Sequence, residues 1–181
     1  GIVDGRAPTE AVVAFQDYHR YYWLWSDLWR VDLTTGRRTR LTDGKRATDP
    51  DVLPGGAFVA YVARVAPGEM ALERLWLDDG STERLFQIPG AQIYLPRISP
   101  DGLRIAFELQ EGARRDIAVW QAGRVVRVTN GDALDTSPEW LPDGRLLFSS
   151  DRTGIYDLYL FEPGPGGWSA TAAAHPQPLL P

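Results

Sequence analysis

Two histidines, His19 and His175, and no cysteine are what the chain offers to general-base or thiolate chemistry. Disulfides, thiolate zinc sites and cysteine nucleophiles are thereby excluded. The sequence contains no Gly-x-Ser-x-Gly elbow, His-Glu-x-x-His pair, Walker loop or Gly-x-Gly-x-x-Gly turn, so the common nucleophile, zinc and phosphate chemistries have no motif to stand on. Paired carboxylates of the glycosidase kind need only proximity in the fold, but nothing in the sequence singles out a pair. The residue types point to binding without catalysis, and no cofactor or metal is implied.

The richest stretch for binding is DYHRYYWLWSD, residues 17–27, where five aromatics surround His19 and Arg20. Aromatic and arginine side chains dominate binding hot spots because they offer large contact area with polar handles. Arg20, Tyr21, Tyr22, Trp23 and Trp25 are therefore candidate partner contacts. The alternative is that alternate residues extend a hairpin and pack on a neighbouring element. A net charge of −5 and a single lysine, Lys45, argue against nucleic acid as the partner. No run approaches the ~18 apolar residues of a membrane span.

These residues must be positioned by something repetitive. Pro8, Pro54, Pro100 and Pro142 recur at spacings of 46, 46 and 42, each followed by an aromatic at Phe15, Tyr61, Phe107 and Phe148. A second marker precedes the later three by four residues, at Pro50, Pro96 and Pro138, and falls on Asp4 in the first unit. Within the third unit LPRIS, LRIAFEL, RDIAVW and RVVRVT are four short runs rich in β-branched and aromatic residues, separated by Pro-Asp-Gly, Gln-Glu-Gly-Ala and Ala-Gly. Each reads as a strand, and each connection as a tight reversal. Asp101 and Asp143, in the Pro-Asp-Gly segments, are accordingly turn residues and not ligands.

Four antiparallel strands per unit of just over forty residues is the length of a β-propeller blade. A sandwich or solenoid would also suit evenly spaced strands, but the long period favours the propeller. The expected fold is all-β, four blades of four strands, with blade 1 at about 1–43, blade 2 at about 48–88, blade 3 at about 93–130 and blade 4 at about 135–181. In blade 1 the first strand is expected near Gly1–Asp4, and in blade 4 the last lies between Trp168 and Leu180.

SerProAspGly-x2-IleAlaPhe, an aspartate-led strand (DIAV, DLYL), a LeuThr or ValThr ending and a ProGluTrp before the next ProAspGly together resemble the TolB-type propeller repeat. The likeness spans all four units and is strongest in SSDRTGIYDLYLFE. It implies a propeller that binds protein or peptide in the periplasm or another exported compartment. Alternatively, it implies the substrate-gating propeller of a prolyl-oligopeptidase-like or tricorn-like peptidase whose catalytic domain lies elsewhere. Asp151, Arg152 and Asp157 then read as a network inside the blade. The resemblance also implies more than four blades, so the chain is expected to be part of a larger propeller completed by missing blades or by a second copy; a closed four-blade ring is the alternative. Beginning with Gly and not Met, it reads as a mature or excised segment.

Strands that run up and down sort the connections onto two faces. The face with the second-to-third and blade-to-blade loops is expected to carry the variation, since Phe15 to Asp27 and Tyr61 to Arg74 exceed the nine residues separating Phe107 from Asp116 and Phe148 from Asp157. Asp49, Asp51, Tyr94 and Asp135 are the candidates to rim the central channel on that face. Tyr94 is added to the partner-contact set, and the aspartates stand as a solvated rim or as contacts to a metal or a partner's backbone.

Overall fold

A computed structural model describes residues 9–19, 23–163 and 177–178. Its strands are β1 (Glu10–His19), β2 (Trp23–Asp32), β3 (Arg38–Arg40), β4 (Thr48–Val52), β5 (Phe58–Ala66), β6 (Glu69–Trp76), β7 (Thr82–Phe86), β8 (Ala91–Ile98), β9 (Arg104–Glu111), β10 (Arg114–Gln121), β11 (Arg124–Arg127), β12 (Asp135–Trp140), β13 (Leu146–Ser150), β14 (Asp157–Phe161) and β15 (Gln177–Pro178). They form four antiparallel meanders, β1-β2-β3, β4-β5-β6-β7, β8-β9-β10-β11 and β12-β13-β14-β15. The fold is all-β, one sheet per repeat. The first sheet has three strands among the described residues, and the strand expected near Gly1–Asp4 lies outside them.

Sheets pack face to face in chain order. Leu28 of the first meets Val59, Tyr61, Ala63 and Leu75 of the second. Phe58, Ala60, Val62 and Leu72 meet Ile93, Ile105, Phe107 and Leu109 of the third. Ala106, Ile117 and Val119 then meet Trp140, Leu146, Phe148 and Tyr159 of the fourth. The central strands β5 and β9 turn apolar residues to both faces, one for each neighbouring sheet, which is why they read as nearly continuous hydrophobic runs.

The repeated motifs have local causes. In the Pro-Asp-Gly turn of the third sheet, Gly102 N–H donates to the Ser99 carbonyl at 2.8 Å and Asp101 Oδ1 accepts from Leu103 N–H at 3.0 Å. Gly102 has φ +71°, and an added Cβ would lie 3.0 Å from Leu53 of the adjacent sheet. The LeuThr and ValThr endings supply a hydroxyl: Thr42 Oγ1 accepts from Leu28 N–H and Thr129 Oγ1 from Ile117 N–H, both at 2.9 Å.

The second proline marker has a different role. Asp49, Leu95 and Ser137, each immediately before a proline, have left-handed φ of 51°, 46° and 56°. Each sits in a β-bulge, so that two residues of the inner strand oppose the single Tyr61, Phe107 or Phe148 of the next. A left-handed residue before proline is sterically disfavoured, so the three bulges are held by their surroundings. At Ser137 the hold is visible: Glu108 Oε1 accepts its N–H at 2.8 Å.

Candidate functional site

The aromatic stretch is a continuation of the β1–β2 hairpin, paired residue for residue from Glu10–Asp32 to His19–Trp23. Arg20, Tyr21 and Tyr22 lie outside the described residues. Cross-strand partners share a face, so Val13–Trp29, Phe15–Asp27 and Asp17–Trp25 stand on one side of the sheet, with Trp23 two residues further along β2 on the same side. That side is opposite Leu28 and therefore turned away from the second sheet. Trp23 and Trp25 thus share a face with Phe15 and Trp29.

On this face Phe15 meets Trp29 edge-on, ring centroids 6.4 Å apart. The Arg38 guanidinium lies 5.0 Å over Phe15 and that of Arg40 lies 4.8 Å over Trp29. Arg40 also pairs with Asp17 at 3.1 Å. Trp25 lies under Arg46, a residue of the connection to the second sheet, at 5.3 Å. Phe15 is 44% exposed, whereas Tyr61, Phe107 and Phe148, its counterparts in the repeat, are fully buried. Val13 is likewise 37% exposed, against at most 1% for Val59, Ile105 and Leu146 at the same rung. Trp23, at the tip, is 62% exposed. The result is an apolar, arginine-edged surface on the first sheet where every later sheet has a neighbour.

The hairpin is not set apart by length. Between Phe15 and its cross-strand partner lie residues 16–26, and the corresponding segments are 62–72, 108–117 and 149–158, within one residue of each other. The spacing to aspartate overstated the difference: Asp27 stands opposite Phe15, whereas Asp116 and Asp157 stand two rungs nearer the tip, opposite Leu109 and Ser150.

The other sequence candidates lie elsewhere. Tyr94, on β8, pairs with Glu108, carries the Arg115 guanidinium 5.2 Å over its ring and donates its hydroxyl to Gln92. The structure does not group it with Trp23 and Trp25. Asp51 Oδ2 accepts Ile98 N–H of the third sheet at 2.7 Å, tying two inner strands together. Its carboxyl sits above the usual range because burial disfavours the charge, against the opposing pull of that hydrogen bond and of Arg97. Asp49 occupies the first bulge. Asp135 is buried and pairs with Arg152 at 2.9 Å. Arg152 also donates to Ser150 Oγ and stacks 4.6 Å from the Tyr159 ring, while Asp151 accepts Leu134 N–H.

Sequence reading passed over a set of buried carboxylates. Asp27 accepts from Thr42 Oγ1, Gly44 N–H and Lys45 N–H at 2.9, 2.9 and 3.0 Å, fixing the path into the second sheet. Glu73 accepts from Tyr61 Oη at 2.7 Å and Lys45 Nζ at 2.9 Å, and faces Arg84. Burial would raise the Glu73 carboxyl, but Lys45, Tyr61 and Arg84 outweigh it and hold it below the usual range. Asp116 is raised, burial outweighing Arg114 and Arg127. In the sequence Asp27 and Asp116 stand out only as residues leading a strand, and Glu73 as a lone acid inside an apolar run. Among the described residues no three His, Cys, Asp or Glu side chains gather as a metal site would require.

No family model matches the chain. An uncharacterised protein of Agrobacterium fabrum is 29% identical over 132 residues, which is 65% of this chain and 44% of that one. TolB from Acinetobacter baumannii superposes with a TM-score of 0.68 at 25% identity, over 78% of this chain and 36% of TolB. The fold is TolB-like. A puromycin-hydrolysing peptidase of Mycobacterium tuberculosis superposes with a TM-score of 0.63, also at 25% identity, over 86% of this chain and 27% of the peptidase. The TolB-like chain thus spans less than half the length of each of these three proteins.

Proposed function

We propose that the chain is a non-catalytic propeller scaffold that binds protein or peptide in the cell envelope, and that the outer face of its first sheet is the contact surface. The observation that carries this reading is the Phe15 position, open in the first repeat and buried in the second, third and fourth. Apolar faces of this kind mark interaction sites, and arginine at the edge adds directional polar contacts. The likeness to TolB supports the envelope location. The partner is another protein, a further blade or a second copy of the chain.

A photo-crosslinking residue placed at Phe15, at Trp23 and, as control, at exposed Thr82 of the second sheet tests this in the exported chain. One discrete protein adduct at the first two positions and none at the third is the expected result. Equal labelling at all three, or none, overturns it. The similarity to the puromycin-hydrolysing peptidase favours a second reading, in which the same face docks against a catalytic domain. A Gly-x-Ser-x-Gly-bearing α/β domain encoded in the same reading frame decides for that reading; further blades decide for the first.

A further inference from the structure

In the later sheets the strand carrying the buried aromatic is paired on both edges, β5 by β4 and β6, β9 by β8 and β10, β13 by β12 and β14. Among the described residues β1 pairs with β2 alone. The Leu28 carbonyl accepts Leu41 N–H at 2.8 Å and its N–H goes to Thr42 Oγ1, both on the β3 side. Leu28 therefore exchanges no backbone bond with Ala14 opposite, and alternation places the N–H and C=O groups of Val12, Ala14 and Gln16 on the far edge of β1. Tyr18, next in that series, gives its N–H to Asp17 Oδ1 at 2.8 Å. Ala14 is exposed although it shares a face with Leu28, while Ala60 and Ala106 at the same rung are buried. Among the described residues Ala14 has no neighbour on the far side of β1.

The three filled slots show what fits there. Their inner strands carry Asp49-Pro50-Asp51-Val52, Leu95-Pro96-Arg97-Ile98 and Ser137-Pro138-Glu139-Trp140. In each the apolar residue pairs with the rung of Val13 (Val59, Ile105, Leu146), the charged residue with the rung of Ala14 (Ala60, Ala106, Leu147), and the bulge faces the aromatic. Counted back from Pro8, the chain's own sequence puts Asp4 in the proline slot and Arg6 in the apolar one. All three filled slots carry an apolar residue at that position, Val52, Ile98 and Trp140.

We infer that the far edge of β1, which has no partner among the described residues, takes an extended peptide as an added antiparallel strand, in the manner of β-augmentation. The peptide contains proline followed by a charged and then an apolar residue, the apolar side chain beside Val13, the charged one beside Ala14, and the residue two before proline beside Gln16. This rests on the reading of the chain as a protein- or peptide-binding scaffold and names how the peptide is held.

The probe is a synthetic nonapeptide, AQIYLPRIS, the sequence of residues 91–99, added to the 181-residue chain while amide exchange is followed residue by residue. Saturating peptide slows the Val12, Ala14 and Gln16 amides roughly tenfold or more, leaving Phe107 in the third sheet unchanged. The same peptide carrying I98R, and a scrambled one, leave all of them unchanged. The chain variant Ala14→Pro removes one edge donor without touching the β2 ladder and abolishes the effect; the peptide variants give the same test if that chain fails to fold. No slowing at millimolar peptide, or edge amides already as slow as those of Ala60 and Ala106 in the free chain, overturns the inference. If that happens while crosslinks at Phe15 and Trp23 persist, strand addition falls and the scaffold reading stands.

Discussion

The first and third sheets are built on one repeat and differ in their surroundings. In the third, Phe107 lies between the second sheet and its own strands, its rung flanked by β8 and β10, and no part of it reaches solvent. In the first, Phe15 stands at the equivalent rung with Trp29 beside it and Arg38 above it. The same residue type supplies core in one place and contact surface in the other. Position in the array of sheets decides which, as expected for repeats that contact only their neighbours.

The comparison is broken most directly by truncating both aromatics. Phe107→Ala is expected to cost about 3–5 kcal/mol in urea unfolding, and Phe15→Ala no more than about 1 kcal/mol because it is already half in water. Equal losses would mean that the first face is covered in solution.

Buried acids sharpen the contrast between sheets by their response to pH. Glu73→Gln is expected to cost about 2 kcal/mol at neutral pH, the value of a charge-assisted hydrogen-bond set. Because the folded carboxyl of Glu73 is lowered, its contribution is complete above the unfolded value of about 4.3 and is lost as pH falls through the folded one. Asp116 has the opposite sign. Its folded carboxyl is raised, so its contribution declines as pH rises from the unfolded value of about 3.9 through the folded one. Asp116→Asn should therefore remove a falling slope and Glu73→Gln a rising one, which urea titrations across the acid range will read.

Turns provide a smaller test. Gly102→Ala, with its φ of +71° and Leu53 at 3.0 Å, is expected to cost about 1–2 kcal/mol. Gly36→Ala, at the same φ of +71° with no atom within 4 Å, should cost less in the same assay, the difference being the contact between sheets. Smallest of all, Trp23→Ala should change stability by no more than about 0.5 kcal/mol, while removing the adducts expected at the first face.

The proline period and the alternating strands made the four sheets legible, since period-two patterning and turn residues are local signals. The bulges were not legible. Pro50, Pro96 and Pro138 are plain markers, but local sterics oppose a left-handed residue before proline, and only the surrounding sheets impose it. Trp23 and Trp25 stood out by type, yet the face they occupy follows from register with Val13 and Phe15, which composition does not carry. Type and position group Tyr94 with them in the sequence, whereas in the structure it lies on β8 and its ring sits under Arg115 of its own, third sheet.

The pre-proline bulges also bear on solubility. An unpaired strand edge is a template for joining another chain, and proteins blunt such edges with proline and bulges. β4, β8 and β12 each carry both devices at the free side of their sheets. β1, whose far edge has no partner among the described residues, carries neither, so in concentrated solution aggregation by edge-to-edge pairing should begin at residues 12–16, and a proline at Ala14 should delay it.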